Sequence, residues 1–296
     1  MIVAASPDEL DLEKTVICIG NFDGVHLGHQ MLLRHMRLVA DTLAAPSIVI
    51  TFFPPTKVVF GRGYYLLGRE EKLKLLARFD PTAVVVVPFD IDYAQTDKRV
   101  FLEQLARLRP HTIIVGDDFR FGYRRAGTLN DLSHLPERLE VFGMKRLDGD
   151  AVKSSRIREL LDKGQIEAAN RLLGHSYLAT GKVTKGERRG GSIGFPTANV
   201  NLPPLKALPL GVFAVKIETP FGVHGGMANV GPRPSFEGAT PSLEVHIFDF
   251  DAELYDREIT VHFEHYLRGQ VKFNSLKELQ EQLEKDRQKA LLYLEK

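Results

Sequence analysis

Apolar residues in the first half of the chain alternate between short compact runs and wider helical spacing. The run VICI at residues 16–19 is closed by Gly20, and from Leu27 toward Ala40 the spacing becomes helical, with Leu32, Leu33, Met36 and Val39 on one broad face. Residues 47–53, 83–87 and 112–115 repeat the strand signal, and residues 70–79 and 97–108 between them carry helix-compatible spacing. Strands that are apolar on both faces and separated by helices predict an α/β, Rossmann-like domain whose parallel sheet is covered on both sides. Such a sheet binds ligands beyond the carboxyl ends of its strands, which places residues 20–29, 54–57, 88–92 and 116–122 on one rim. Two more helices are expected at 154–161 and 165–173, with Gly174 as the stop.

Beyond Gly174 the pattern changes. Residues 212–217, 243–250 and 258–263 are β-rich runs divided by Gly, Pro and Asp, with few helical patterns between them, which predicts a compact β barrel. A terminal helix follows: Ser275 and Glu278 suit a capping box, and Leu276, Leu279, Leu283, Ala290 and Leu294 form an interrupted stripe suited to covering that barrel. The expected division is residues 1–174 and 175–296.

Composition narrows the class. A hydrophobic fraction of 44% and a charged fraction of 26% over 296 residues describe a globular chain. Its net charge of +1 gives no whole-molecule attraction for a polyanion, so nucleic acid is not an expected partner. The single cysteine, Cys18, excludes an intrachain disulfide and sits inside an apolar run. No apolar stretch is long enough to cross a bilayer, and the opening residues lack a basic region followed by an apolar core, so a cytoplasmic enzyme of small molecules is expected. Oligomeric state is left open.

The strongest chemical signal is GNFDGVHLGH at residues 20–29, between a strand and a helix. Gly24 and Gly28 permit close backbone approach, and the helix start offers amides to phosphate oxygens. His26 and His29, three apart, share a side of the first turn and can donate to phosphate oxygens as charge builds. The spacing also suits a metal, although no nearby cysteine or further histidine completes a zinc set. KSSRIR at 153–158 opens a helix with hydroxyls and cations, suited to a triphosphate clamp or to an ordinary cap and solvated face. In GDDFRFG at 116–122, Asp117 and Asp118 can organise polar groups while Phe119 and Phe121 pack beneath the loop. In GSIGFPTANV at 191–200, Thr197 and Asn199 set two short oxygen-bearing side chains on one face, able to meet Mg²⁺ or phosphates, or simply to form a surface turn. Glu244 is a strand carboxylate able to serve as general base or to pair with a cation.

The residues HLGH at 26–29 resemble the HxGH signature of the nucleotidylyltransferase superfamily. The longer GNFDGVHLGH resembles the bacterial bifunctional riboflavin kinase/FAD synthetase family, and the likeness extends over nearly the whole chain. That resemblance implies an N-terminal FMN adenylyltransferase, which converts ATP and FMN to FAD and pyrophosphate, and a C-terminal riboflavin kinase barrel, which makes FMN from riboflavin and ATP. It implies that His26 and His29 assist at the ATP phosphates and that Gly20, Asn21, Phe22, Asp23 and Gly28 surround the nucleotide. Ser154, Ser155, Arg156, Ile157 and Arg158 align with the family's Ser-Ser-Thr-Arg-Ile-Arg segment, with Lys153 at its first serine. Asp117, Asp118 and Phe119 fall in a segment used around adenylyl transfer.

In the second half GFPTAN is similar to the riboflavin kinase signature, which implies Mg²⁺ and phosphate binding by Thr197 and Asn199. The likeness of GERRGG at 186–191 to the family's ATP loop makes Gly186 a nucleotide candidate. Glu244 in EVHIFDF takes the place of the glutamate that receives the ribityl proton, and Asn229 and Arg233 fall in the substrate loop. Departures occur at Phe53, Pro55 and Thr56 in TFFPPT, at Gly191 where arginine is common, at Pro232 and Ser235 where threonine is common, and at Glu253 and Asp256. Lys153 and TFFPPT motivate an alternative in which only the kinase half is efficient.

Overall fold

The computed structural model describes residues 1–61, 63–185, 194–231 and 241–295. The chain separates into two compact units, Met1–Tyr65 with Arg69–Lys153, and Leu66–Gly68 with Ser154–Lys296.

The first unit contains strands β1 (Ile2–Ala4), β2 (Thr15–Ile19), β3 (Ser47–Phe53), β4 (Ala83–Pro88), β5 (Pro110–Gly116) and β6 (Arg138–Phe142), followed by the short pair β7 (Arg146–Leu147) and β8 (Asp150–Ala151). Its helices are α1 (Leu27–Leu43), α2 (Thr56–Val59), α3 (Arg69–Ala77), α4 (Lys98–Ala106) and α5 (Leu129–Leu132). Six strands form one sheet in the order β1-β4-β3-β2-β5-β6, and every neighbouring pair is parallel. All five side chains of β2 are buried, as expected of a strand flanked by β3 and β5 and covered on both faces. The chain steps from β2 outward through β3 and β4, and β5 then pairs on the opposite side of β2. The loops after β2 and β5 therefore leave the sheet at its topological switch point, where open α/β sheets receive ligands.

The four strands and three helices read from periodicity in this half are present, with ends displaced by at most three residues. Strands β1 and β6 were not legible: β1 spans three residues with two exposed, and β6, at the sheet edge, has no fully buried side chain.

In the second unit, α6 (Ser154–Asp162) and α7 (Ile166–Leu173) precede strands β9 (Tyr177–Thr184), β10 (Ala198–Asn201), β11 (Gly211–Thr219), β12 (Gly222–Gly231), β13 (Ser242–Ile247) and β14 (Glu258–Arg268). These strands close an antiparallel barrel in the order β10-β13-β12-β11-β14-β9. Phe213, Val215, Ile217, Ala228, Val230, Val245 and Phe263 are fully buried. Asn170 ties α7 to the barrel, its amide donating to Phe263 O at 2.8 Å and its carbonyl accepting from Tyr177 N at 2.7 Å. Strand β12 escaped the sequence pattern because its glycines read as turn punctuation. At Gly226 a Cβ would lie 2.5 Å from His246 O, so any side chain would force β12 away from β13. The run expected to reach Phe250 stops at Ile247, because Asp249 adopts a left-handed turn conformation with φ 49°.

The closing helix α8 (Leu276–Leu294) begins as expected with the Ser275 hydroxyl accepting from Glu278 N, although the Glu278 carboxylate returns to Asn274 N. Leu283, Ala290, Leu291 and Leu294 pack against Val212, Ala214 and Met227 on the barrel. Leu276, expected in the stripe, is exposed in the first turn, ahead of the segment that meets the strands. Asp286 is buried and accepts from Arg268 Nε at 2.8 Å and from Gln282 Nε2 at 2.9 Å, joining α8 to β14. Removing one member of a buried pair strands the other's charge. Asp286→Ala is therefore expected to destabilise the protein by about 3 kcal/mol in urea unfolding, and a loss below about 1 kcal/mol would contradict this anchoring role.

Candidate functional site

The loop after β2 turns back sharply before α1. Phe22 and Val25 hold left-handed backbone at φ 44° and 39°, which is costly for bulky and especially β-branched side chains. Both side chains are fully buried, and that burial offsets the strain. Strain of this kind, retained between a strand end and a helix start, marks a loop whose shape is selected for what it presents.

The loop presents two imidazoles. His26 caps α1, its Nδ1 accepting from His29 N at 3.3 Å, so the neutral ring carries its proton on Nε2. The rings of His26 and His29 stack with centroids 3.5 Å apart and planes 15° from parallel. A Cβ on Gly28 would lie 3.3 Å from two atoms of the His26 ring, tighter than a side chain normally packs, which explains the glycine between the histidines. Phe22 meets the His29 ring edge-on at 5.2 Å, so it buttresses an imidazole from within the core. Burial, followed by the nearby His26 and Lys72 charges, holds the His29 pKa well below the usual imidazole value. His29 Nδ1 is buried without a hydrogen-bond partner among the described residues. Two stacked imidazoles at the amide end of a 17-residue helix form a donor set for an anion. Asp23 is buried in the same loop, and Asn21 is exposed at its start.

One participant was missed by the sequence reading. Lys72 of α3 is completely buried and donates from Nζ to Asn21 O at 2.9 Å and Phe52 O at 2.9 Å, with Thr51 Oγ1 at 3.4 Å. Hydrophobic patterning treats a lysine as solvent-facing, so no signal marked it. Asp117 and Asp118 follow β5, which neighbours β2, and both are exposed. Phe119 stacks on Phe121 at 5.7 Å, the packing role expected of it. Ser154, Ser155, Arg156 and Arg158 occupy the start of α6 in the other unit, where Arg156 pairs with Glu159 at 3.2 Å.

The barrel carries a second set. Asn199 on β10 pairs directly with Glu244 on β13, and Glu244 pairs with Asn229 on β12. Direct cross-strand partners project from the same face, so these three polar side chains form one row, while Leu243 and Val245 on either side of Glu244 are buried. Gln270, also missed, donates to Asn229 Oδ1 at 2.8 Å and to Val230 O at 2.9 Å. Thr197 is exposed immediately before β10. His246 Nδ1 donates to Pro196 O at 2.8 Å, which fixes the segment leading to Thr197. The oxygens of Thr197 and Asn199 are hard donors of the kind Mg²⁺ takes, and Mg²⁺ commonly completes its shell with waters and substrate phosphates. No cluster of three or more His, Cys, Asp or Glu suited to a metal occurs among the described residues. Gly186 and Arg233, with the GERRGG segment, Pro232 and Ser235, lie outside the described residues.

Residues 8–158 match the FAD synthetase family model, and residues 173–294 match the riboflavin kinase model. A bifunctional riboflavin kinase/FMN adenylyltransferase from Haemophilus influenzae is 37% identical over 289 residues, covering 93% of this chain and 92% of the relative. Its namesake from Bacillus subtilis is 35% identical over 295 residues, covering 95% and 92%. A crystal structure described as a macrolide-efflux protein from Streptococcus pneumoniae has a TM-score of 0.86 at 27% identity and 97% coverage of each chain. No helix among the described residues is long and apolar enough to cross a membrane.

The lowered His29 pKa predicts that its ring stays neutral where a free imidazole, near 6.5, takes up a proton. Imidazole ¹⁵N NMR should show unchanged His29 resonances from about pH 8 to about pH 6. A midpoint near 6.5 would contradict the described burial.

Proposed function

The chain belongs to the bacterial bifunctional riboflavin kinase/FMN adenylyltransferase family, and we propose that it converts riboflavin to FMN and FMN to FAD, each with ATP. The observation that carries this reading is the coincidence of each polar constellation with its own family model. His26 and His29 fall within the FAD synthetase match, and Asn199, Asn229 and Glu244 fall within the riboflavin kinase match. Functional halves at 1–174 and 175–296 follow, within a cytoplasmic enzyme of small-molecule substrates.

In the kinase half Glu244 takes the proton from the ribityl hydroxyl as that oxygen attacks the γ-phosphorus of ATP, and ADP leaves. Asn199 is directly beside it in the register, so the residue holding the phosphates and the residue holding the base are fixed by one strand pair. Thr197 and Asn199 would hold Mg²⁺, which when bound neutralises phosphate charge. Asn229, itself held by Gln270, lies on the other side of Glu244 and orients the flavin hydroxyls.

In the transferase half a phosphate oxygen of FMN attacks the α-phosphorus of ATP, forming the new P–O bond as pyrophosphate leaves. The Nε2–H of His26 and the neutral His29 ring donate to phosphate oxygens as charge shifts toward the leaving group. Because the ring stack and the cap fix both imidazoles beforehand, little reorganisation is needed at that moment.

Separate substitutions test the division of labour. His29→Ala should lower FAD formation by about 100-fold with FMN formation retained. Glu244→Gln should lower FMN formation by about 100-fold or more with adenylylation of supplied FMN retained. Equal loss of both reactions in each folded variant would contradict two separate centres.

A further inference from the structure

A lysine with no exposed surface demands a reason. Taking an ammonium out of water costs several kcal/mol unless its protons are matched, and an apolar residue of similar length fills such a space at no such cost. Lys72 is matched by oxygens that all lie at one place, the carboxyl ends of two adjacent parallel strands. Asn21 O follows β2, while Phe52 O and Thr51 Oγ1 belong to the end of β3. Thr51 Oγ1 also donates to Asn21 O at 3.0 Å, so the lysine and the threonine share an acceptor and close a small polar network. Asn21 is the residue from which the strained loop toward His26 departs.

The surroundings give the ammonium an electrostatic reach. Asp23 in the loop after β2 acts on it as an opposite charge, and His29 at the start of α1 is held toward neutrality by burial, by His26 and also by this ammonium. His26 stacks on His29, Glu71 lies on the same helix as the lysine and Tyr65 before it; burial, then Glu71 and Asp23, raises the Tyr65 hydroxyl to about 12. The Phe53 ring lies 5.7 Å from Nζ. A cation in low dielectric behind a phosphate-binding loop acts on an anion at that loop more strongly than a solvated one.

We propose that Lys72 is a positioning residue for adenylyl transfer: its ammonium joins the ends of β2 and β3, sets the course of the loop carrying His26 and His29, and supplies a positive charge behind them. This rests on the transferase reading above. Lys72 touches neither substrate on this account and acts through Asn21 and His29. Burial lowers the Lys72 pKa to about 8, against a raising effect from Asp23, so the charge is present at neutral pH and is lost above it.

The test compares the full-length protein with Lys72→Met, which keeps chain length without charge. FAD formation from supplied FMN should fall at least about tenfold in kcat with KM for ATP changed little, while FMN formation from riboflavin is retained. In the parent the FAD rate should decline as pH rises through about 8, and Lys72→Met should lack that decline. Imidazole NMR gives a readout free of turnover: without the charge, the His29 pKa should move up. A folded Lys72→Met protein with parental rate, pH profile and His29 titration overturns the proposal. If the variant does not fold, a parental FAD rate that is flat from pH 7 to about pH 9.5 overturns it equally. A parent that makes no FAD at any pH defeats the transferase reading instead, and the His29 titration still decides the role of Lys72.

Discussion

Side chains along a β-strand alternate between faces, so a slip of one residue between β10 and β13 would turn Asn199 away from Glu244. The same slip would place Leu243 and Val245 in solvent, at the cost of two fully buried side chains. The hydrophobic interior of the barrel therefore enforces the polar row outside it. In the sheet unit, parallel pairing of β2 with β3 and β5 brings three strand ends to one edge, and the loops that carry candidate chemistry begin there. Register is the constraint on which both centres depend, and core packing sets it.

Upon that frame each centre spends stability in its own way. The loop at residues 20–25 places Phe22 and Val25 in left-handed backbone and buries Asp23, while α3 contributes a buried ammonium. Phe22 serves both sides of the balance, since its ring is core and also braces His29. The barrel centre is built with less strain: Asn199, Glu244 and Asn229 occupy regular ladder positions, with His246 and Gln270 fixing what surrounds them. The contrast fits the chemistry proposed for them, because two donors meant to converge on phosphate need a folded-back loop, whereas a base beside its substrate needs only a fixed strand.

The sequence disclosed what is periodic or punctuated. Strand β3 was read to its exact ends, and the glycine-rich segment opening α1 stood out because its residue types leave few structural alternatives. Strands β9, β10 and β12 were hidden, the last because Gly225 and Gly226 serve close packing there and not a turn. Lys72 was invisible for a deeper reason: its acceptors are main-chain oxygens at Asn21 and Phe52, and no side-chain pattern encodes which carbonyls converge. Gln270 reaches the Asn229 side chain across 41 residues, and its second acceptor, Val230 O, is again main chain. Motifs revealed the groups of the site, but the interactions that hold them required the fold.

Product-resolved turnover of riboflavin by the intact protein with ATP and Mg²⁺ tests both centres at once. FMN should rise first and FAD follow, with ADP and pyrophosphate released as the respective co-products. FMN that accumulates without FAD, even when FMN is supplied at saturation, would contradict a working transferase centre. Absence of both products would contradict activity at either centre.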